Sequence, residues 1–294
     1  MVCLLAVSSA LLAGCGDGES PTADPEVVLE EASVAASAIG SGEIDVQADL
    51  EISAGELSQS AGLSLEGTFT RQSGGPPQFD LEATLAQGSV SGPSEADFKL
   101  IAAATAAYLE SGEKVYEVAP AAFERYESVF GVARGPGGGG SQGLAVNLDP
   151  AGWFINPSNE GTESIEDTDV VHVSGTADVE QLASELNAVA VPLGLAQTSE
   201  FSGIDQTFDE ATIDLYAGAE DGVPRRVEVE LRWNGRLEGG VPFQGVIDVL
   251  MSLSEIDQPQ EIEAPEMAQP LRGSVEDLPP QLSGLGEFLS SRER

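Results

Sequence analysis

The chain has 294 residues, carries 50 Asp plus Glu against 12 Lys plus Arg for a formal charge of −38, and is 41% hydrophobic. That hydrophobic share excludes a disordered acidic tail, and the charge excludes nucleic acid as a partner, because affinity for phosphates needs clustered cations. A single histidine, His172, and two cysteines confined to Cys3 and Cys15 exclude zinc sites and disulfide frameworks from the body of the protein.

Residues 1–14, MVCLLAVSSALLAG, are apolar or small, without charge, and run directly into Cys15. Such a stretch is too short to stop in a bilayer as a spanning helix and suits the apolar region of a signal peptide. Leu12-Ala13-Gly14-Cys15 resembles the lipobox of bacterial lipoproteins. The resemblance implies that Cys15 carries a diacylglycerol anchor, becomes the first residue after cleavage, and holds the protein to the extracytoplasmic face of the cell membrane. A signal peptide opens with Lys or Arg, whereas the first basic residue here is Arg71, which fits a translation start further upstream. The competing reading is a buried N-terminal helix or an uncleaved anchor. Residues 15–24 then form a polar tether, CGDGESPTAD.

Pro25 to Ile39 predicts a helix, with Pro and Glu at its start and an apolar stripe through Val28, Leu29, Ala32, Ala35, Ala36 and Ile39. Glu43 to Ser53 then alternates without interruption, placing Ile44, Val46, Ala48, Leu50 and Ile52 on one face, as a half-buried antiparallel strand does. The same period returns at Leu63, Leu65 and Phe69, at Phe79, Leu81, Ala83 and Leu85, and at Phe98, Leu100 and Ala102. Tyr108 to Glu110 and Val115 to Val118 flank Ser111-Gly112-Glu113-Lys114, a hairpin signal.

Residues 120–133 predict a second helix through Phe123, Tyr126, Val129 and Phe130, followed by the Gly-rich loop 134–143 and a short helical piece presenting Trp153 and Phe154. Alternation resumes at Val171 and Val173. Residues 178–191 predict a third long helix with an acidic cap, and further strands follow at Ala211 to Ala217, Val227 to Trp233 and Phe243 to Leu253. Roughly nine or ten strands, mostly joined as meanders, imply one sheet that must curl. The expected fold is α+β: a large curved antiparallel sheet, a half-barrel, with helices over its concave face. Its domain spans residues 25–258, with 259–294 as a Pro/Gln-rich C-terminal tail that includes a short amphipathic stretch, Leu278 to Leu289, and lies outside the fold or docks weakly on it.

The lipobox, the capped first helix, three amphipathic strands, a hairpin ending at Tyr116, a helical middle with Trp153 and the turn Asp221-Gly222-Val223-Pro224-Arg225-Arg226 occur in that order. The order resembles the actinobacterial lipoproteins of the LppX/LprG type, grouped with the LolA and LolB lipoprotein carriers. That resemblance, over roughly residues 25–265, implies an apolar cavity between sheet and helices that holds the acyl chains of a lipid or glycolipid.

The cavity candidates are the inward residues Val46, Ala48, Leu50, Leu65, Gly67, Phe69, Leu81, Ala83, Leu100, Phe123, Phe130, Ile213, Leu215, Val229 and Leu231. Several further inward positions are small, including Ala102, Ala106, Ala211, Ala217 and Gly245. Small residues leave volume for a ligand, which gains about 0.8 kcal/mol per buried methylene. They equally allow helices to pack closer. The expected function is a membrane-anchored lipoprotein binding a lipid or lipid-linked ligand, with helix 120–133 and the Gly loop as a lid. The alternative is an envelope interaction or regulatory module with a closed core.

Gly139-Gly140-Ser141-Gln142-Gly143 matches the G-x-S-x-G nucleophile motif, but a Gly/Pro run precedes it instead of a strand, and the only base is His172, expected to point outward. Glu166, Asp167 and Asp169, or Glu220 and Asp221, match no calcium loop. We therefore expect no catalytic residue, no metal and no cofactor.

Overall fold

The computed structural model describes residues 23–55, 57–71, 76–89, 92–130, 150–190, 206–236, 241–271, 278–279 and 282. Helix α1 spans Pro25–Ala38, with Asp24 accepting a hydrogen bond from the Glu26 N–H (3.1 Å) and Pro25 placed where its missing donor costs nothing. Strands β1 (Ser41–Ala54), β2 (Leu57–Thr70), β3 (Gln78–Ser89), β4 (Gly92–Ala102), β5 (Ala107–Ser111) and β6 (Lys114–Glu117) follow as a meander. The β5–β6 turn is the expected one: Ser111 faces Lys114 across a two-residue loop in which Gly112 has φ 59°.

Helix α2 (Pro120–Phe130), a 3-10 turn (Pro150–Gly152), β7 (Phe154–Ile165), β8 (Thr168–Ala177) and α3 (Val179–Ala190) make up the middle of the chain. Strands β9 (Gln206–Gly218), β10 (Pro224–Arg236), β11 (Pro242–Ser254) and the short β12 (Gln269–Pro270) complete it. The four predicted helical segments stand where the apolar period placed them. The Gly loop, Ser141 and Cys15 lie outside the described residues.

One twelve-stranded sheet has the order β12-β6-β5-β4-β3-β2-β1-β11-β10-β9-β8-β7, with all neighbours antiparallel except β12 and β6. It is an open, curved half-barrel whose two edges, β12 and β7, do not pair. Strand β1 joins the halves, pairing β2 on one side and β11 on the other. Strand β7 was not legible as a strand, since FINPSNEGTESI does not alternate. Its register slips between Ile155 and Ser158 and again between Asn159 and Gly161, and it carries Pro157, features that keep an edge from recruiting a further strand.

The apolar face is packed at both ends of the strand order. On the β8–β10 side, α1 buries Val28, Leu29 and Ala32 against Trp153, Val173, Ile213, Leu215 and Val227, with Leu182 of α3 alongside. On the β3–β6 side, Leu271, Leu278 and Leu282 pack on Ala83, Phe98, Leu109 and Tyr116. Those three leucines come from the stretch expected as a loosely attached tail. The segment is fixed where β12 pairs β6 and the Leu271 N–H donates to the Glu117 carbonyl (2.9 Å). Helix α2 sets Phe123 and Tyr126 on Ala102, with the Tyr126 hydroxyl donating to the Pro77 carbonyl (2.5 Å).

Candidate functional site

Strand register turns the alternation of single strands into rows that cross the sheet. Val173, Leu215, Val227, Met251, Val46, Leu65, Ala83 and Phe98 stand opposite one another in sequence from β8 to β4. A second row runs Ile213, Val229, Val249, Ala48, Leu63, Leu85, Ala96, and a third runs Ala211, Leu231, Ile247, Leu50, Ala61. Residues two apart on a strand share a face, so the three rows pave one apolar surface.

Burial along these rows is uneven. At the β8–β9 end Val173, Ile213 and Leu215 are fully covered, and at the β3–β4 end Ala83, Ala96 and Phe98 are buried. In between, on β11, β1 and β2, Ile247, Val249, Met251, Val46, Ala48, Leu50, Ala61, Leu63 and Leu65 are only half-buried. Among the described residues, α1 and α3 cover one flank and the C-terminal leucines and α2 cover the other. Between them lies a floor, the half-buried apolar face of the three central strands.

The fifteen sequence-derived candidates divide along this pattern. Val46, Ala48, Leu50, Leu65, Val229 and Leu231 lie on or beside this floor and Leu100 is half-buried on β4. Ala83, Phe123, Ile213 and Leu215 are buried in the packed clusters that flank it, Phe69 is buried with Ile39 and Leu253 at one end of the central strands, and Leu81 is buried on β3. The side chain of Phe130 lies outside the described residues. Gly67 has φ 149° and presses against the backbone of β3 so closely that a Cβ would collide with the Asp80 carbonyl oxygen. The candidates omitted Leu63 of β2, whose alternation was legible, and Ile247, Val249 and Met251 of β11. Strand β11 hid its three, because Val246 and Leu250 place apolar residues on its other face as well.

Two hollows lie on the opposite, polar face. The larger, about 1210 Å³, is lined by nine carboxylates, Glu43, Asp45, Glu66, Asp80, Glu82, Glu166, Asp221, Glu255 and Asp257, against Lys99, Arg225 and Arg226. Lys99 bridges to Asp80 at 2.7 Å, and that hydrogen bond raises the ammonium above its ordinary range. The smaller, about 630 Å³, is lined by Asp49, Glu51, Glu95 and small polar neighbours.

His172 also stands on the polar face, as expected. Its Nε2 lies 2.7 Å from Asp214 Oδ1 and its Nδ1 3.1 Å from Glu163 Oε1, tying β7, β8 and β9 together. The ring stacks on Tyr216 with centroids 4.4 Å apart, and the Arg226 guanidinium sits 5.9 Å from the Tyr216 ring centre. Burial, then Glu228, Asp214 and Glu163, push the Tyr216 phenol up to about 12, with Arg226 opposing. These contacts fasten β7, β8 and β9 to one another.

No family model matches the sequence, and no curated protein matches it. Solved structures do. The chain is similar to LprF from Mycobacterium bovis at 17% identity, covering 82% of this chain and 96% of that one with a TM-score of 0.46. It is similar to the lipoprotein LppX of Mycobacterium tuberculosis at 11% identity, covering 81% and 97% with a TM-score of 0.37. A further likeness is to an outer membrane lipoprotein-sorting protein domain from Vibrio parahaemolyticus, at 10% identity, 81% and 94% coverage and a TM-score of 0.23. LppX is of the type that the sequence resembles. Likenesses of this size concern the course of the chain and carry no function across.

Proposed function

We propose that this protein is a membrane-anchored lipoprotein that binds the acyl part of a lipid or lipid-linked ligand in the apolar trough over β11, β1 and β2, for transport or display in the envelope. The observation that carries the reading is the half-burial of a continuous apolar floor between two packed flanks. A soluble domain gains by covering such a surface, and an acyl chain laid along it gains about 0.8 kcal/mol per methylene.

The anchor belongs to Cys15, acylated on the extracytoplasmic face, as the lipobox resemblance implies. The domain proposed to follow the tether runs from residue 25, and the core positions of Leu271, Leu278 and Leu282 support including the C-terminal segment in it. No catalytic role is proposed. The function is tested by extracting the purified protein with organic solvent and identifying the extract by mass spectrometry. A lipid recovered in near-stoichiometric amount supports binding. A lipid-free protein that also fails to take up added phospholipid favours the closed interaction module instead.

A further inference from the structure

The chain has one histidine, His172, and both of its ring nitrogens face a carboxylate. Nε2 lies 2.7 Å from Asp214 Oδ1 of β9, and Nδ1 lies 3.1 Å from Glu163 Oε1 of β7. A neutral imidazole has one N–H and one lone pair, and an ionised carboxylate only accepts. A neutral ring therefore satisfies one of these oxygens and turns its lone pair on the other. The imidazolium, with two N–H donors, satisfies both.

The two contacts are unequal. Asp214 is nearer and its side chain is 25% exposed, against 50% for Glu163, so water competes less for it. When the ring gives up one proton, the other stays on Nε2 toward Asp214 and the tie to Glu163 is lost. Glu163 belongs to β7, an edge of the sheet whose ladder to β8 is interrupted by two register slips. Strand β9, by contrast, is paired on both sides. The other titratable and charged groups around the ring are Tyr216, stacked on it from β9, and Arg226 and Glu228 of β10 behind that phenol. Tyr216, pushed up to about 12, keeps its proton across the range in which an imidazole changes charge, and carboxylates ordinarily titrate below that range.

The geometry points to a proton-set latch on the β7 edge of the sheet: the His172 imidazolium ties β7 to β8 and β9 through Glu163 and Asp214, and loss of one ring proton frees β7 while the tie to Asp214 stays. The freed strand also bears Asn159, whose Nδ2 donates to the Ala23 carbonyl at 2.8 Å, just ahead of α1. The latch thus sits on the strand that steadies the foot of the helix covering Ile213 and Leu215. It does not depend on what the apolar face binds.

The test is amide hydrogen exchange of the full-length protein, read by mass spectrometry at about pH 5.5 and about pH 8.5 and corrected for the intrinsic exchange rate at each pH. Protection of residues 161–165 is expected to fall at least about threefold from the lower pH to the higher in the wild type, the size of one part-exposed ion pair, while residues 213–217 of β9 keep theirs. Glu163→Gln supplies an amide that donates to a ring lone pair as readily as it accepts from a ring N–H, so its β7 protection is expected to be equal at both pH values. His172→Phe keeps a ring against Tyr216 but has no donor, and its β7 protection is expected to match the alkaline wild type at both. Wild-type β7 protection independent of pH overturns the latch. So does a fall shared equally by residues 213–217, or a fall of the same size in Glu163→Gln. The wild-type comparison needs no substitution, so it decides the matter even where a variant does not fold.

Discussion

Trp233 of β10 and Gly245 of β11 face each other across the ladder, and the indole occupies the space that a Gly245 side chain would need. A small inward residue is therefore not in itself an empty volume. At this position the glycine exists to receive a ring from the next strand, and Trp233 is buried as a result.

Gly245→Ala is expected to cost about 1–3 kcal/mol by forcing the indole off its rotamer, and Trp233→Ala about 3–5 kcal/mol. Urea unfolding followed by far-ultraviolet circular dichroism measures both. A Gly245→Ala midpoint equal to wild type would show that the ring does not rest there.

The C-terminal leucines give a second expectation. Leu271 and Leu282 are fully buried against β4–β6, so Leu271→Ala or Leu282→Ala is expected to lower stability by about 2–5 kcal/mol. A tail lying outside the fold would leave the urea midpoint unchanged.

Tyr216 gives a pH expectation. Its phenol titrates near 10.0 when unfolded and is pushed up to about 12 in the fold, so between these values the folded state keeps a proton that the unfolded state has lost. Stability contributed by this group is complete below pH 10 and is lost as pH rises toward 12. Tyr216→Phe is expected to flatten part of the alkaline fall in the urea midpoint. Tyr126, raised by burial in the same direction, supplies another part that persists in the variant.

Much of the sheet was legible because its strands alternate cleanly. Val46, Ala48 and Leu50 read as one face from sequence alone, and register then aligned them with Met251, Val249 and Ile247 on one side and Leu65, Leu63 and Ala61 on the other. What the sequence withheld was the relation between strands. Ile213 and Val229 look alike as inward residues, yet α1 covers the first fully and leaves the second half-buried, a difference set by where a helix lands. Strand β7 was hidden by a polar edge sequence with Pro157 and two register slips. The amphipathic stretch from Leu278 was legible in the tail, but a single strip of leucines does not say which surface it covers, so its burial on β4–β6 was not. The tie of His172 to Glu163 and Asp214 was hidden because its partners come from two other strands.

The central claim is that the trough holds an acyl chain, and the most direct measurement is a titration of a fluorescent fatty-acid probe against wild type and Ala48→Trp. Ala48 stands between Leu63 and Val249 and is half-buried, so an indole there is expected to occupy the space proposed for the acyl chain. An acyl-binding trough predicts saturable uptake near one probe per protein in the wild type, weakened at least about tenfold in Ala48→Trp with its urea midpoint retained. No saturable uptake, or uptake undiminished in a folded Ala48→Trp, would contradict it.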